Sequence, residues 1–193
     1  DRMAKLYRID PATDQMQDIS FPHPDTAPGF CAGGGGLIST ADDYLKFARM
    51  MLAGGELDGV RYVQRETLDL MLTNQLSPEQ RAIPFMGIPF WLGQGFGLGA
   101  SVITDPEKQA WMGAGSEGSF GWPGAFGTWW QADPVNDLIM IYLIQHQVPV
   151  SANSGSTLAT GRGAAGRRAL PVYQQGIYDA LRDGSGLARD PAA

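Results

Sequence analysis

Two stretches of the chain carry apolar residues at the spacing of an amphipathic helix. On the first, the residues that share one face are Tyr44, Phe47, Ala48, Met51 and Leu52. Ser39 or Thr40 is a suitable N-terminal cap for this helix, and the two glycines at 54 and 55 are a suitable end. A second helix is predicted over residues 64–73, where apolar residues again recur at intervals of three and four.

Other stretches have the alternating or continuous apolar pattern of β-strands. The predicted strands cover residues 5–9, 96–102, 125–132 and 138–144, and a further strand starts at residues 109–112. Turns are predicted at residues 105–108 and 133–137, where Asp precedes Pro. The last strand is almost entirely apolar, which is typical of a strand that is covered on both faces.

The remaining stretches are rich in Pro, Gly or Ser and are predicted to be loops. They are residues 20–36, 74–95 and 150–166, the last of which is expected to be mobile. Pro171 is predicted to start a C-terminal helix that covers the sheet. The whole pattern predicts an α+β fold, in which helices pack on an antiparallel β-sheet.

Composition and charge exclude several classes of protein. The 193 residues are 44% hydrophobic, which is enough to bury a core. A net charge of -6 argues against nucleic-acid binding, and we interpret the cluster of Arg162, Arg167 and Arg168 as a solvated loop. No apolar run reaches the length of about 18 residues that a bilayer requires, so we predict no membrane span.

Candidate ligands for a metal or a cofactor are few. Cys31 is the only cysteine, which rules out an internal disulfide, and we interpret it as a small core residue. His23 and His146 are too few and too far apart for a metal site. The glycines at 33–36 lack the Lys-Ser/Thr of a phosphate loop and are interpreted as a flexible turn. We therefore expect no metal and no cofactor.

Residues 118–130 combine regularly spaced glycines with aromatic residues. The glycines fall at every third position, at 118, 121, 124 and 127. Because glycine has no Cβ, a ligand can approach such a backbone closely. Trp122 beside it would suit the wall of a small-molecule site. The alternative interpretation is a hairpin with a buried tryptophan.

Three motifs follow one another in an order that resembles a known family. Residues 33–40 read Gly-Gly-Gly-Gly-Leu-Ile-Ser-Thr, with Asp43 and Phe47 downstream, and the glycine-rich residues 54–59 come next. Trp122-x-Gly124 is the third motif. From about Leu6 to about Gln145 this order resembles the serine beta-lactamase-related family, in its class C-like branch of family VIII carboxylesterases. The resemblance implies a penicillin-binding-protein fold and a serine hydrolase that forms an acyl-enzyme.

The resemblance also implies roles for residues at the third motif. The backbone N–H of Ala125 would donate to the oxyanion, Trp122 would shape the pocket, and Gly124 would let the substrate carbonyl lie close. A substrate would pair with a strand edge near Ala125 and Phe126, and residues 74–95 would wall the pocket or else form a surface loop with its own small cluster. Trp-Pro-Gly offers no cation or hydroxyl to a substrate carboxylate, which favours neutral esters.

Two motifs of that family are absent from the chain. Neither Ser-x-x-Lys nor Tyr-x-Asn occurs in it. We therefore expect residues 1–193 to be the C-terminal portion of a single beta-lactamase-like domain. The N-terminal half, with the nucleophile, would be its partner, in the same polypeptide or as a separate chain. The present chain alone is expected to be inactive and to fold poorly.

Several weaker candidates and other functions stay open. Ser116 lies in a near match to the nucleophile motif Gly-x-Ser-x-Gly and is interpreted as a turn serine. His146 could be a general base and Glu117 could act on charge at the site, but both are interpreted as solvated. A small-molecule ester is the expected substrate of a carboxylesterase. The alternatives are a non-catalytic binding protein on the same fold, and a beta-lactamase or D-amino-acid peptidase.

Overall fold

The described part of the chain forms three β-sheets, of which the largest has five strands. A computed structural model describes residues 3–10, 12–20, 29–30, 33–85, 87–147 and 165–184, with the side chains of 165–168 excepted. The strands are β1 (Tyr7–Ile9), β2 (Met16–Asp18), β3 (Glu56–Leu57), β4 (Val60–Arg61), β5 (Gln94–Phe96), β6 (Ser101–Ile103), β7 (Phe120–Pro123), β8 (Trp129–Asp133), β9 (Leu138–Tyr142) and β10 (His146–Gln147). The helices are α1 (Ala41–Leu52), α2 (Arg65–Met71), α3 (Pro78–Arg81), α4 (Pro106–Gln109) and α5 (Ala165–Arg182).

The five-stranded sheet is the central one. Its order is β5-β6-β7-β8-β9, and every neighbouring pair is antiparallel. A smaller sheet has the order β10-β1-β2, in which β1 and β10 run parallel. Strands β3 and β4 form a separate hairpin.

The two predicted helices in the first half of the chain are confirmed. The Thr40 hydroxyl caps α1 by accepting a hydrogen bond from the Asp43 N–H, and acidic residues occupy the first turn, where the helix dipole favours them. Ala48 and Met51 of α1 and Leu68 of α2 are buried in one core cluster with the central sheet. Burial of these apolar side chains fixes both helices to the same face of the sheet.

Side chains of β8 alternate between the two faces of the sheet and hold a helix on each. Trp130 and Ala132 belong to the core cluster under α1. Gln131 and Asp133 point the other way and are hydrogen-bonded to α5, where the Tyr178 hydroxyl donates to Asp133 at 2.6 Å. Helices therefore cover both faces of an antiparallel sheet, and the prediction of an α+β fold is confirmed.

The prediction of a single strand over residues 96–102 is wrong. The chain turns between β5 and β6, where the Gly97 N–H donates to the Ala100 carbonyl at 2.8 Å. Gly99 has a φ of 112°, which glycine adopts without a steric penalty. The alternation of apolar and small residues in this stretch thus belongs to a hairpin.

The region after β6 also differs from its prediction. Residues 105–108 are not a hairpin turn and residues 109–112 do not start a strand. Instead Asp105 caps α4, because its carboxylate accepts a hydrogen bond from the Lys108 N–H at 3.1 Å. An Asp cap followed by Pro at the first helical position starts a helix as readily as a turn. The next strand along the chain that pairs with β6 is β7, which starts at Phe120.

Three other element boundaries differ as well. Strand β8 starts at Trp129 rather than residue 125, because a turn precedes it. Strand β9 ends at Tyr142 rather than residue 144. Although it is an edge strand, Ile139 and Ile141 pack on the core cluster under α1, and on the other face Met140 is buried and Tyr142 packs on Tyr173 of α5, so the prediction that it is covered on both faces is confirmed. Helix α5 starts at Ala165, so Pro171 lies inside it and not at its start; the helix continues there with one backbone donor fewer.

Parts of the predicted loops lie outside the described residues. This applies to residues 21–28 and 31–32, which include His23 and Cys31, and to residues 148–164, which include Arg162. The side chains of Arg167 and Arg168 are also outside them. The glycines at 33–35 form an exposed turn before α1, as predicted. The stretch 74–95 contains α3 and the first two residues of β5.

A buried carboxylate joins α5 to the sheet. Asp133 is fully buried, and its Oδ2 accepts hydrogen bonds from the hydroxyls of Tyr178 (2.6 Å) and Ser116 (2.8 Å) and from the Asn136 amide (2.9 Å). Burial raises the pKa of this carboxyl, but these hydrogen bonds, together with one from the Asn136 N–H, outweigh burial, and the pKa lies below its ordinary value. Burial and the nearby Asp133 raise the pKa of Tyr178. Asp133 is thus ionised and Tyr178 neutral at pH 7.

Replacing Tyr178 by Phe removes one donor to this buried charge. We expect Y178F to lower the free energy of unfolding of the full-length protein by about 1.5–3 kcal/mol at neutral pH, measured by urea denaturation. Since Asp133 has a lowered pKa, its stabilising effect is present above the unfolded-state value of about 3.9 and is lost as the pH falls further. The difference between Y178F and the wild type should therefore shrink below about pH 4.

The matched control is Y173F on the same helix. The ring of Tyr173 packs against Tyr142 at 5.4 Å and is 39% exposed. We expect a much smaller loss in this variant. Equal losses in the two variants, or a loss in Y178F that does not change with pH, would contradict the role given to Asp133.

Candidate functional site

The predicted site residues lie at the turn of the β7–β8 hairpin. Trp122 pairs with Trp130 across the hairpin, and the Gly124 N–H donates to the Thr128 carbonyl at 2.8 Å. The chain then reverses through a four-residue turn, which the Gly127 N–H closes by donating to the Gly124 carbonyl at 3.1 Å. Gly127 has a φ of 88°, a conformation that favours glycine.

Ala125 occupies the outer corner of this turn. It is exposed, and among the described residues no hydrogen bond engages its N–H. The structure therefore has an available backbone donor one residue beyond Gly124. Because Ala125 and Phe126 lie in a turn, the expectation of a strand edge at these two residues is wrong.

The segment 144–146 contacts the turn and holds it in place. The His146 N–H donates to the Phe126 carbonyl at 2.8 Å, and the Tyr7 N–H donates to the Gln145 carbonyl at 2.9 Å. A Cβ on Gly127 would meet the Ile144 side chain at 2.9 Å. The segment from Ile144 to His146 thus lies between the turn and β1 and fixes the position of the turn.

Trp122 belongs to a group of five packed rings, which we call the aromatic cluster. Its members are Phe85, Phe90, Trp91, Phe96 and Trp122. The Trp122 ring lies 4.9 Å from Phe96 and 5.6 Å from Phe90, centroid to centroid, and both contacts are edge-to-face. Phe90 is buried, whereas Trp122 is half-buried. Trp122 therefore lies on a hairpin, as the alternative interpretation predicts, but it is half-buried rather than buried.

The segment 74–95 contributes three of these rings, Phe85, Phe90 and Trp91. Phe85 reaches the Trp122 ring at 6.2 Å. The segment is therefore not a surface loop with a cluster of its own, since its aromatic residues pack on the third motif. These contacts form an apolar wall beside the turn.

Pro123 fits the hairpin without loss of a sheet hydrogen bond to β6. It pairs with Trp129 on β8, while the pairing of β6 with β7 ends at Gly121. A proline is tolerated at such an edge because no neighbouring strand requires its missing N–H.

The weaker candidates lie elsewhere or are engaged. The Ser116 hydroxyl donates to Asp133 and accepts from Asn136, so it is part of the connection between α5 and the sheet. Glu117 is exposed, and His146 is half-buried in β10. Within the described ranges, no group of His, Cys, Asp and Glu residues could hold a metal ion, and no helix is long and apolar enough to span a bilayer.

The sequence was compared with models of known protein families. The model described as Beta-lactamase matches residues 2–162. The chain belongs to the beta-lactamase family. Two curated relatives from Mycobacterium tuberculosis, protein Rv1367c of strain H37Rv and protein MT1414 of strain CDC 1551, are each 48% identical over 182 residues. These alignments cover 93% of the chain but 45% of each relative, so the chain spans less than half the length of the curated relatives it matches.

Solved structures of other proteins have the same fold. The LovD6 mutant of simvastatin synthase (LovD) from Aspergillus terreus superposes with a TM-score of 0.66 at 22% identity, over 95% of this chain and 43% of that one. EstCE1, a hydrolase with promiscuous acyltransferase activity, superposes with a TM-score of 0.63 at 20% identity, over 91% of this chain and 43% of that one. The predicted beta-lactamase-like fold of this family member is thus confirmed.

The close approach of Ile144 to Gly127 leads to a prediction for a substitution at this glycine. In Gly127→Ala the new Cβ meets Ile144 and the residue must keep a φ of 88°, so the turn should move away from His146. A strain of roughly 1–2 kcal/mol should speed hydrogen exchange of the His146 amide by about tenfold. The control is Gly59→Ala, because Gly59 has a φ of 78° with open space around its Cβ position. Unchanged exchange at His146 in Gly127→Ala, or an equal change in the control, would contradict this account.

Proposed function

We propose that this chain is part of a serine hydrolase that acts chiefly as a carboxylesterase through an acyl-enzyme. The observation that carries the proposal is the exposed Ala125 N–H, which no described residue engages, on a turn directly after Trp122-x-Gly124. Membership of the beta-lactamase family supports it, since the match covers residues 2–162. Ala125 would be a backbone donor of the oxyanion hole.

The reaction would begin with attack of a serine hydroxyl on the ester carbonyl. The carbonyl oxygen then becomes an oxyanion, and a hydrogen bond from the Ala125 N–H would stabilise that charge in the transition state. The alcohol leaves, and water later releases the acid from the serine. In this proposal the serine, and the lysine and tyrosine that move its proton, lie outside residues 1–193.

Gly124 and Phe126 would position this donor. The Gly124 N–H donates to Thr128, the Gly124 carbonyl accepts from Gly127 and the Phe126 carbonyl accepts from His146, so the residues on both sides of Ala125 are held by hydrogen bonds while no described residue engages its own N–H. A donor that is fixed before the reaction needs no reorganisation when the charge develops. The absence of a Cβ on Gly124 would allow the substrate carbonyl to lie close to the turn.

The aromatic cluster would favour neutral, apolar substrates. Trp122 presents part of its ring beside the turn, with Phe96 and Phe90 packed against it. A charged substrate carboxylate would lose its hydration at such a wall without gaining a partner from Trp-Pro-Gly. A small-molecule ester fits this surface better than a substrate with a carboxylate at the reacting centre.

Exposed apolar residues around α1 support the proposal that another segment of the enzyme covers this face. Leu37 and Ile38 are 84% and 66% exposed, and Phe47 is 42% exposed although its ring packs on Trp130 at 5.6 Å. Trp130 pairs with Trp122 across the hairpin. We propose that the N-terminal half of the enzyme covers this face and brings its serine to the turn. Residues 1–193 would then be one portion of a single domain, inactive alone.

Replacing Gly124 by Val tests the oxyanion role. A Cβ at this position overlaps the Thr128 hydroxyl, so the larger side chain should displace the turn and misdirect the Ala125 N–H. In the full-length protein, kcat for a short-chain 4-nitrophenyl ester should fall by about 10²–10³, the usual cost of one oxyanion donor. Gly176→Val on α5, where the Cβ position is open, is the control and should keep its activity. Wild-type activity in Gly124→Val would contradict the proposed role.

A comparison of two substrates tests the proposed specificity. The full-length enzyme should have a much higher kcat/KM for a short-chain 4-nitrophenyl ester than for a chromogenic cephalosporin, because the third motif lacks a cation for the cephalosporin carboxylate. Preference for the cephalosporin would instead indicate a beta-lactamase or a related peptidase. Hydrolysis of neither would indicate a binding protein on this fold.

A further inference from the structure

A groove lies beside the aromatic cluster and shares Trp91 with it. Its volume is about 420 Å³, and we call it the Arg81 groove. The residues that carry the following inference are Pro78, Arg81, Pro89, Trp91 and Lys108, all of which line it. The groove is therefore apolar on most of its surface, with two cationic side chains.

Arg81 lacks the partners that a partly buried guanidinium normally has. Its Nε is buried without a hydrogen-bond partner, and among the described residues its side chain forms no ion pair or hydrogen bond. Arg61, by contrast, pairs with Glu56 at 2.7 Å and also donates to two backbone carbonyls. The Arg81 Nε itself is inaccessible, so a ligand in the groove would bind the terminal nitrogens of the guanidinium, which no described residue engages.

The charged residues that line the groove are both cations, but only one of them lacks an acidic partner. The chain carries a net charge of -6, whereas the groove has Arg81 and Lys108. Lys108 is paired with Asp105 at 2.7 Å and is also close to Glu107, so Arg81 is the cation of the groove that has no acidic partner among the described residues. An unpaired guanidinium favours an anion, and its planar shape matches a carboxylate or a phosphate.

The apolar walls define the rest of the ligand. Pro78, Pro89 and Trp91 offer flat, rigid surfaces that bind hydrocarbon at a small entropic cost. The Trp91 ring also packs edge-to-face on Phe90 at 4.9 Å, which fixes its position. The walls fit an aromatic or aliphatic group attached to the anion.

We propose that the Arg81 groove binds a small amphiphilic anion, an organic carboxylate or a phosphate monoester, with Arg81 as its charge partner. The site is separate from the Ala125 turn, and binding there does not depend on the esterase activity. A neutral molecule of the same shape would lack the ion pair and bind more weakly. Carboxylate and phosphate share the required chemistry, and the test below separates them.

Calorimetric titration of the full-length protein tests the proposal. The probes are benzoate, phenyl phosphate and the neutral benzyl alcohol, each at low and at high salt. We expect millimolar or tighter binding of at least one anion, weakened by salt, and much weaker binding of benzyl alcohol. The anion with the lower Kd identifies the group that the site prefers. No binding of either anion, or equal binding of benzyl alcohol, would overturn the proposal.

Variants assign the binding to Arg81. Arg81→Gln should raise the Kd of the preferred anion by about tenfold or more, the usual effect of losing a charge-assisted hydrogen bond. Arg81→Lys, which keeps the charge but not the planar fork, should have an intermediate Kd and serves if the Gln variant fails to fold. Arg65→Gln removes the same charge from α2, where Arg65 pairs with Asp69, and is the control. An unchanged Kd in both Arg81 variants, or an equal rise in the control, would overturn the assignment.

Discussion

The alternation of side chains along β8 is the constraint on which the rest of this structure depends. Trp130 and Ala132 face α1 and fill the core, while Gln131 and Asp133 face α5 and bind it through hydrogen bonds. The first residue of the same strand, Trp129, pairs with Pro123 and so closes the hairpin that carries the candidate site. A shift of β8 by one residue would reverse both faces at once.

The same strand therefore connects stability with the proposed chemistry. One side of the sheet is held by burial of apolar area and the other by a buried carboxylate that accepts several hydrogen bonds, one of them from α5. The turn that contains Ala125 is fixed by backbone hydrogen bonds of its neighbours, from Gly124 to Thr128 and from His146 to Phe126. The position of the available N–H thus depends on main-chain contacts and needs no catalytic side chain in this part of the protein.

Local signals in the sequence predicted those elements whose cause is local. Thr40, the acidic first turn and the apolar spacing of α1 act within one helix, and the helix forms where they indicate. The errors occurred where one local signal permits two structures. Asp105-Pro106 starts α4, but the same pair could equally form a turn. The alternating pattern around Gly99 is that of a strand, but the positive φ of Gly99 belongs to the turn of a hairpin.

The candidate site was predictable only in part. The order of the glycine-rich motifs and Trp122-x-Gly124 indicated the family, and the family match agrees with that resemblance. The contact of Phe85 and Phe90 with Trp122 and the hydrogen bond from His146 to Phe126 depend on the tertiary fold. Backbone hydrogen bonds in particular leave no residue-specific signal, because every residue except proline has the same donor.

The most direct measurement is a crystal structure of the full-length protein after reaction with a fluorophosphonate. We predict a covalent bond from phosphorus to a serine outside residues 1–193, with the phosphoryl oxygen about 2.7–3.1 Å from the Ala125 nitrogen. The phosphonate would then stand in for the tetrahedral intermediate. An adduct on a serine of this chain, or a phosphoryl oxygen that binds other donors and leaves the Ala125 N–H free, would contradict the account.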